Sequence, residues 1–169
     1  QYVLDFSRPE VVDYIHDSIY KVLSTAKIDY IKWDMNRTIT EAFTSTLPAS
    51  RQQEFAHRYI LGVYQLYERL TQAFPSVLFE SCASGGGRFD LGMMYYAPQA
   101  WCSDDTDAVE RIYIQDGTSY GYIPSMWGAH VSAVPNDQVG RVTSLDTRAK
   151  VAYFGAFGYE LDLNELSEE

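Results

Sequence analysis

Apolar runs recur along the chain at the spacing of strands that alternate with helices. Six runs of apolar or β-branched residues end near Asp5, Asp34, Glu80, Asp104, Ala133 and Asp162. Neighbouring ends lie 24 to 46 residues apart, which is enough chain for a helix that crosses over to the next parallel strand. The pattern therefore predicts an α/β fold in which helices cover a parallel sheet.

The segments between the first three runs have the periodicity of amphipathic helices. Residues 7–28 repeat apolar side chains every three or four positions, and Ser7 with Glu10 predicts a capping box at the start of this helix. Residues 51–74 repeat the pattern, and Pro75 predicts the end of the second helix. Each helix therefore has one apolar stripe to bury against the sheet.

Two weaker helical patterns follow later in the chain. One covers residues 107–119 and the other covers residues 144–154, with Thr106 and Ser144 as the expected N-caps. The chain contains no internal repeat, linker or low-complexity tract. We therefore expect one domain over residues 1–169.

Polar residues gather directly after each apolar run, which favours a barrel over an open sheet. The segments are DFSR, KWDMNR, ESCASGGG, SDDTDA, HVSAVPND and ELDLNE. In a (β/α)8 TIM barrel the site is built from loops at the carboxyl ends of several strands. An open dinucleotide-binding sheet would have a glycine-rich fingerprint after its first strand, and the first run lacks one.

Six strands where eight are required predict an incomplete barrel. The start at Gln1 inside a predicted strand suggests that two βα units precede it. The cellular compartment is therefore not predicted.

The sequence KWDMNR at the end of the second run is the first candidate for chemistry. Alternation along a strand places Lys32, Asp34 and Asn36 on one side and Trp33 and Met35 on the other. A cation two residues before Asp34 favours the ionised carboxylate, and an ionised carboxylate at a barrel mouth can act as a nucleophile. A surface salt bridge at a strand end is the alternative interpretation.

The segment SDDTDA places three carboxylates within four positions, at Asp104, Asp105 and Asp107. Like charges at such close range resist joint ionisation, so one of the three is expected to stay protonated near neutral pH. Two alternatives are capping of a helix N-terminus, above all by Asp107, and binding of Mg²⁺ by the cluster. One ionised and one protonated carboxyl group in the same barrel would be the two parts of a retaining glycosidase.

Three consecutive glycines in ESCASGGG predict a sharp turn or the close approach of a ligand. The interpretation that we favour is that they make room beside a sugar, with Cys82 as a small wall of the same pocket. A plain βα turn is the alternative. A phosphate loop is disfavoured because no Gly-Lys-Ser/Thr follows.

Composition narrows the classes of ligand. The chain has 13 basic and 23 acidic residues and a net charge of −10, which argues against nucleic acid or an anionic membrane as a partner. No apolar run reaches the length of a membrane span. The 14 Tyr, 8 Phe and 3 Trp residues suit a neutral ligand such as a sugar, although aromatic side chains more often fill the core. The two cysteines and three histidines lack metal-ligand spacing, so no zinc site is predicted.

Four segments together resemble the α-galactosidases of glycoside hydrolase family 36. They are KWDMNR, FESCASGGGRFD, PQAWCSDDTDA and GAHVSAVPN, in this order, and the resemblance covers practically all 169 residues. It implies a retaining, exo-acting enzyme that removes terminal α-linked galactose from oligosaccharides such as melibiose, raffinose and stachyose. We expect no cofactor and no metal, and a full-length protein that is a homo-oligomer.

The resemblance also implies roles for six residues. Asp34 matches the family's nucleophile, and Asp104 matches its general acid/base. The positions that match substrate-binding residues are Lys32, Asn36, Cys82 and Gly85. Asp105 is the neighbour that is most easily confused with Asp104.

The family's architecture implies that this chain is only part of a catalytic domain. Members have an eight-stranded barrel between an amino-terminal β-sandwich and a carboxyl-terminal β domain, and the chain resembles roughly the third to the eighth barrel strand. Because the family draws further sugar-binding residues from the portion before Gln1, we expect the isolated chain to be inactive. We also expect it to be poorly stable, because an open barrel leaves two sheet edges unpaired.

Three alternatives to hydrolysis of α-galactosides are left open. They are transfer of galactose to another sugar, as in related plant galactosyltransferases, a catalytically inactive sugar-binding domain, and a Mg²⁺-dependent lyase or phosphotransferase.

Overall fold

A computed structural model describes residues 3–166 of the protein. These residues form two compact units. The first unit contains residues 3–32 and 36–79, and the second unit contains residues 33–35 and 80–166. Helices and strands alternate along the chain, as predicted for an α/β fold.

Five α-helices and five β-strands are assigned within the described part of the chain. The helices are α1 (Pro9–Thr25), α2 (Phe55–Ala73), α3 (Leu91–Tyr96), α4 (Ala108–Ser119) and α5 (Leu145–Ala152). The strands are β1 (Tyr30–Asp34), β2 (Leu78–Cys82), β3 (Gln99–Trp101), β4 (Trp127–Ser132) and β5 (Ala156–Glu160). Short 3-10 helices occupy Ala49–Glu54, Pro124–Met126 and Leu163–Glu165.

The five strands belong to one sheet, in which they follow one another in chain order. In the second unit β2 pairs with β3, β3 with β4 and β4 with β5, and all three pairings are parallel. The register places Glu80 opposite Gln99 and Ser132 opposite Glu160. Parallel pairing brings the carboxyl ends of these strands to the same edge of the sheet, which is where parallel α/β folds carry their sites.

In the first unit α1 and α2 pack against each other. The buried side chains of α2 recur at helical spacing, for example at Tyr59, Val63 and Leu70. Gly62 lies so close to the segment before α1 that an added Cβ would be 1.8 Å from the carbonyl oxygen of Phe6. A larger residue at position 62 would therefore push that segment away from α2.

The core of the second unit lies between β4 and α5. Trp127, Ala129 and Val131 alternate along β4 and pack with Ala152 of α5. A shift of β4 by one residue would turn these apolar side chains to the opposite face, so their burial fixes the register of the strand. The same register places Ser132 at the carboxyl edge of the sheet.

The helix predicted over residues 7–28 is confirmed, but its capping box is wrong. α1 begins at Pro9, and its N-cap residue Arg8 makes no capping hydrogen bond through its side chain. Ser7 instead donates its hydroxyl and its N–H to Asp5 Oδ1, at 2.5 and 3.0 Å. Because this local turn uses the Ser7 hydroxyl, the hydroxyl does not cap the helix.

The other predicted helices are confirmed with shifted ends. Residues 51–74 begin in a 3-10 helix and continue as α2. Ser144 caps α5 and accepts the N–H of Thr147 at 3.1 Å. Thr106 is not the N-cap of α4, because Asp107 occupies that position and binds the N–H groups of the first turn. The sequence pattern does not predict α3, since six residues are too few to show a period.

Five of the six predicted strands are present. The run near Asp5 is not a strand over residues 3–5, and residues 1–2 lie outside the described residues. β3 ends at Trp101, so Asp104 lies in the following loop and not at the strand end. β2 continues past Glu80 and ends at Cys82.

Candidate active site

The carboxyl edge of the sheet in the second unit brings together four of the six predicted site residues. Asp34 is the last residue of β1, and Cys82 is the last residue of β2. Gly85 follows in the β2–α3 loop, and Asp104 lies in the β3–α4 loop. All four therefore come from strand ends or from the loops that leave them, as expected for a site on a parallel α/β fold.

Exposure alternates along β1 as the sequence predicts. Lys32, Asp34 and Asn36 are exposed, whereas Trp33 and Met35 are half-buried. The Asp34 carboxylate is therefore accessible to a solute, as a nucleophile must be. Lys32 and Asn36 belong to the first unit, and their binding of a sugar stays a prediction.

Two hydrogen bonds tie Met35, the residue after β1, to the end of β2 and to the β2–α3 loop. The N–H of Met35, the residue after Asp34, donates to the carbonyl oxygen of Cys82 at 2.9 Å. Arg88, later in the same loop, donates to the carbonyl oxygen of Met35. The backbone directly after Asp34 is therefore held at both its N–H and its carbonyl group. Cys82 is 4% exposed, and its carbonyl oxygen is the atom that holds Met35.

The glycines of the β2–α3 loop make room for neighbouring backbone. Gly85 has a φ of 78°, and an added Cβ would lie 2.8 Å from Ser103 Cα and 3.0 Å from the amide nitrogen of Asp104. An added Cβ at Gly86 would lie 3.0 Å from the carbonyl oxygen of Cys102. The loop therefore packs directly on the chain that carries Asp104. This contact explains the requirement for glycine at position 85, and contact of Gly85 with a sugar stays a prediction.

Asp104 differs from its acidic neighbours in its hydrogen bonds. Asp105 Oδ1 accepts the N–H of Asp107 at 3.0 Å. Asp107 is 1% exposed, and its Oδ2 accepts two N–H groups of α4 and an ion pair from Arg141. Asp104 is exposed and has no hydrogen-bond or ion-pair partner within residues 3–166. The capping alternative is thus confirmed for Asp107, and Asp104 remains available to a ligand.

A cleft of about 300 Å³ opens beside Asp104. Its lining residues are Asp104, Thr106, Ser132, Ala133, Pro135, Asp137 and Glu160. These residues come from three places: the β3–α4 loop, the end of β4 with the loop that follows it, and the end of β5. The volume lies at the lower end of the range of small-molecule sites.

Glu80, two residues before the end of β2, is a buried carboxyl group to which the sequence motifs assign no role. It is fully buried, and the Gln99 side-chain amide donates to its Oε2 at 2.9 Å. Burial raises the pKa of Glu80, and its electrostatic interaction with His130 opposes this rise. Because Glu80 is inaccessible, we do not expect it to contact a ligand directly.

Arg111 of α4 is a second buried residue that the sequence pattern does not single out. It donates to the backbone carbonyl groups of Ser103 and Asp105, on either side of Asp104. The buried face of α4 is partly polar and includes both Arg111 and Gln115. Hydrophobic periodicity cannot detect such a face, because it marks arginine and glutamine as solvent-exposed.

The candidate Mg²⁺ cluster is used for other contacts in this structure. Asp105 and Asp107 bind backbone N–H groups, and Asp107 also pairs with Arg141. Within residues 3–166, no three His, Cys, Asp or Glu side chains are arranged to hold a metal ion. Over the same range, no helix combines the length and the apolar character needed to cross a bilayer.

Comparison with known proteins decides the family. The family model for Melibiase matches residues 1–169. This chain belongs to the Melibiase family. The α-galactosidase AgaA of Geobacillus stearothermophilus is 60% identical over 168 residues, which is 99% of this chain and 23% of AgaA. The chain therefore spans about a quarter of the length of this relative, and the resemblance to α-galactosidases is confirmed.

Solved structures confirm the fold class. The crystal structure of the α-galactosidase from Lactobacillus brevis matches with a TM-score of 0.97 and 68% identity, over 99% of this chain and 23% of that chain. Variants of AgaA, a GH36 enzyme, have been crystallised with raffinose and with stachyose, and each matches with a TM-score of 0.95 and 60% identity, over 98% of this chain and 23% of that chain. The parallel strands and helices of this chain are part of a TIM barrel of the same family.

Proposed function

We propose that the full-length protein is a retaining exo-α-galactosidase that hydrolyses terminal α-linked galactose from oligosaccharides of the melibiose and raffinose type. The observation that carries the proposal is the exposed Asp104 carboxyl group, without a partner in the described chain, at the same sheet edge as the exposed Asp34. The complexes of AgaA variants with raffinose and stachyose support this class of substrate. Residues 1–169 would form one part of the catalytic barrel, flanked in the full-length protein by β domains.

In the first step of the proposed mechanism, the Asp34 carboxylate attacks the anomeric carbon of the galactosyl unit. The bond from this carbon to the glycosidic oxygen breaks, and Asp104 gives its proton to the departing oxygen. The products are a galactosyl ester on Asp34 and the released sugar. This chemistry requires the two carboxyl groups to stand about 5 to 5.5 Å apart.

In the second step Asp104, now ionised, removes a proton from a water molecule. The water oxygen attacks the anomeric carbon, and the bond to Asp34 breaks. Asp104 is protonated again and Asp34 is again a carboxylate, so the enzyme returns to its starting state. Two successive inversions at the anomeric carbon give a product that keeps the α configuration.

Four further residues would shape the galactose site. We assign the binding of galactose hydroxyls to Lys32 and Asn36, because an ammonium donates hydrogen bonds and a carboxamide both donates and accepts them. Both residues are exposed. Cys82 and Gly85 are buried and would shape the pocket through the path of the β2–α3 loop.

The stereochemical outcome tests the double displacement. The full-length protein is mixed with p-nitrophenyl α-galactoside, and proton NMR follows the anomer that appears first. We expect α-galactose, which equilibrates to the β anomer only later. If β-galactose appears first, the reaction inverts, and a covalent intermediate on Asp34 is ruled out. The isolated 169-residue chain is expected to show no turnover.

Two further assays separate the proposal from its alternatives. With raffinose and a second sugar present, hydrolysis predicts free galactose as the main product, whereas a transferase would form a new oligosaccharide. With EDTA present, we expect unchanged turnover. Loss of activity in EDTA that returns with Mg²⁺ would favour the metal-dependent alternative.

Replacing Gly85 by alanine should displace Asp104. The added methyl group would meet Ser103 Cα at 2.8 Å, so the β3–α4 loop must shift. We expect kcat/KM for raffinose to fall about tenfold or more, because small misplacements of a reacting group are costly. Gly140→Ala is the matched control, since Gly140 has a φ of 70° but an added Cβ meets nothing within 4 Å. Equal losses in the two variants would show that backbone strain alone, and not contact with the Asp104 segment, causes the effect.

A further inference from the structure

Arg111 makes an unusual set of hydrogen bonds for a buried arginine. It lies in the first turn of α4 and is 3% exposed. Its Nε donates to Asp105 O at 2.7 Å, and its Nη2 donates to Ser103 O at 2.6 Å. Its Nη1 donates to Gly128 O at 3.1 Å and to Cys102 Sγ at 3.0 Å. Every acceptor is therefore a carbonyl oxygen or a sulfur atom.

This guanidinium is not neutralised by an ion pair in the described chain. Within residues 3–166 no carboxylate lies within salt-bridge distance of Arg111, and its planar head stacks on the ring of Trp101 at 4.4 Å. Burial lowers the pKa of Arg111, although electrostatic interactions with Cys102 and with nearby acidic residues oppose this. Burying a cation without an ion pair is costly, so its four hydrogen bonds must compensate.

The acceptors are arranged around Asp104. The carbonyl group of Ser103 belongs to the peptide directly before Asp104, and the carbonyl group of Asp105 belongs to the second peptide after it. One rigid fork holds both, and its bond to Gly128 anchors the fork to β4. The contact with Gly85 limits movement of the Asp104 backbone from another side. The Asp104 side chain itself remains exposed.

We propose that Arg111 is a positioning residue. It fixes the Asp104 carboxyl group for proton transfer by donating hydrogen bonds to backbone carbonyl groups on both sides of Asp104. The inference rests on the proposed function, in which Asp104 is the general acid/base. Lysine cannot replace this arginine, because an ammonium is a compact donor without the planar fork that reaches four acceptors. Arg111 does not touch the substrate in this assignment and acts only through Asp104.

The test uses Arg111→Lys in the full-length protein and two substrates. p-Nitrophenyl α-galactoside has a good leaving group that needs little protonation, whereas raffinose has a poor one that needs the acid. We expect the ratio of kcat/KM for raffinose to kcat/KM for the nitrophenyl substrate to fall about tenfold relative to the parent protein. The ratio is independent of the fraction of folded enzyme, so simple destabilisation does not change it.

Arg148→Lys is the matched control. Arg148 is also buried, on α5, and its side chain donates to Ser132 O at 2.5 Å and not to the carbonyl groups of Ser103 or Asp105. We expect this variant to lower stability and to leave the substrate ratio unchanged. A ratio for Arg111→Lys within about twofold of the parent protein would overturn the inference. If Arg111→Lys gives no active protein, the same ratio is measured for Arg111→Gln and judged by the same criterion.

Asp104→Ala separates failure of this inference from failure of the proposed function. If Asp104→Ala lowers the ratio and Arg111→Lys does not, Asp104 is the acid and Arg111 does not position it. If Asp104→Ala leaves the ratio unchanged, the proposed role of Asp104 itself is wrong, and the inference about Arg111 is overturned with it.

Discussion

Asp34→Asn in the full-length protein is expected to abolish turnover of both raffinose and p-nitrophenyl α-galactoside. Asparagine has nearly the shape of aspartate but lacks the carboxylate that forms the galactosyl ester, so the good leaving group does not rescue the reaction. We expect kcat to fall by about 10⁴-fold or more for each substrate. Initial-rate kinetics on the purified variant measure the loss.

The control for Asp34→Asn removes a charge from the opposite end of the same strand. Asp29 directly precedes β1 and is exposed, and its carbonyl oxygen accepts the N–H of Leu78. Asp29→Asn keeps this backbone bond and is expected to retain most of the parent kcat. An Asp34→Asn variant that retains most of its kcat would exclude Asp34 as the nucleophile.

Asp104→Ala is expected to have an effect that depends on the leaving group. Loss of the general acid should lower kcat/KM for raffinose by about 10³-fold, because the departing sugar oxygen then leaves without a proton. For p-nitrophenyl α-galactoside we expect a loss of about tenfold or less, since nitrophenolate leaves readily. The alkaline limb of the pH dependence of kcat/KM should also disappear, because this limb reports ionisation of the acid.

Asp105→Asn tests whether the correct aspartate has been chosen. Asp105 Oδ1 accepts the N–H of Asp107, and an asparagine Oδ1 can accept the same bond, so Asp105→Asn should leave the ratio of kcat/KM for raffinose to kcat/KM for the nitrophenyl substrate close to that of the parent protein. If the loss in kcat/KM depends on the leaving group for Asp105→Asn and does not for Asp104→Ala, Asp105 is the acid.

The sheet and the main helices follow from the sequence because their signals are local. β4 is buried along most of its length and appears as an apolar run, and α2 buries one stripe at helical spacing. Polar segments after the runs predict the edge that carries Asp34 and Asp104. The choice of Asp104 over Asp105 came from the family resemblance, and the hydrogen bonds of Asp105 and Asp107 now supply a physical reason for it.

The remaining features depend on contacts between residues that are distant in the chain. The fit of Gly85 against Ser103 requires two loops to be placed in space, and a glycine alone does not tell whether a ligand or a backbone approaches it. Hydrophobic periodicity cannot predict that Arg111 is buried, because hydrogen bonds to backbone carbonyl groups of the folded chain compensate for the burial of its charge. Caps shift by one residue when a neighbouring side chain competes, as Asp107 does with Thr106.

Mass spectrometry of the trapped intermediate tests the double displacement most directly. The full-length protein is inactivated with a fluorinated galactosyl inhibitor, which forms the ester but slows its hydrolysis, and is then digested. We expect the mass of one fluorogalactosyl group on the peptide that contains Asp34, and none on the peptide that contains Asp104. A label on Asp104 or on any other carboxylate, or inactivation without a covalent adduct, would contradict the account.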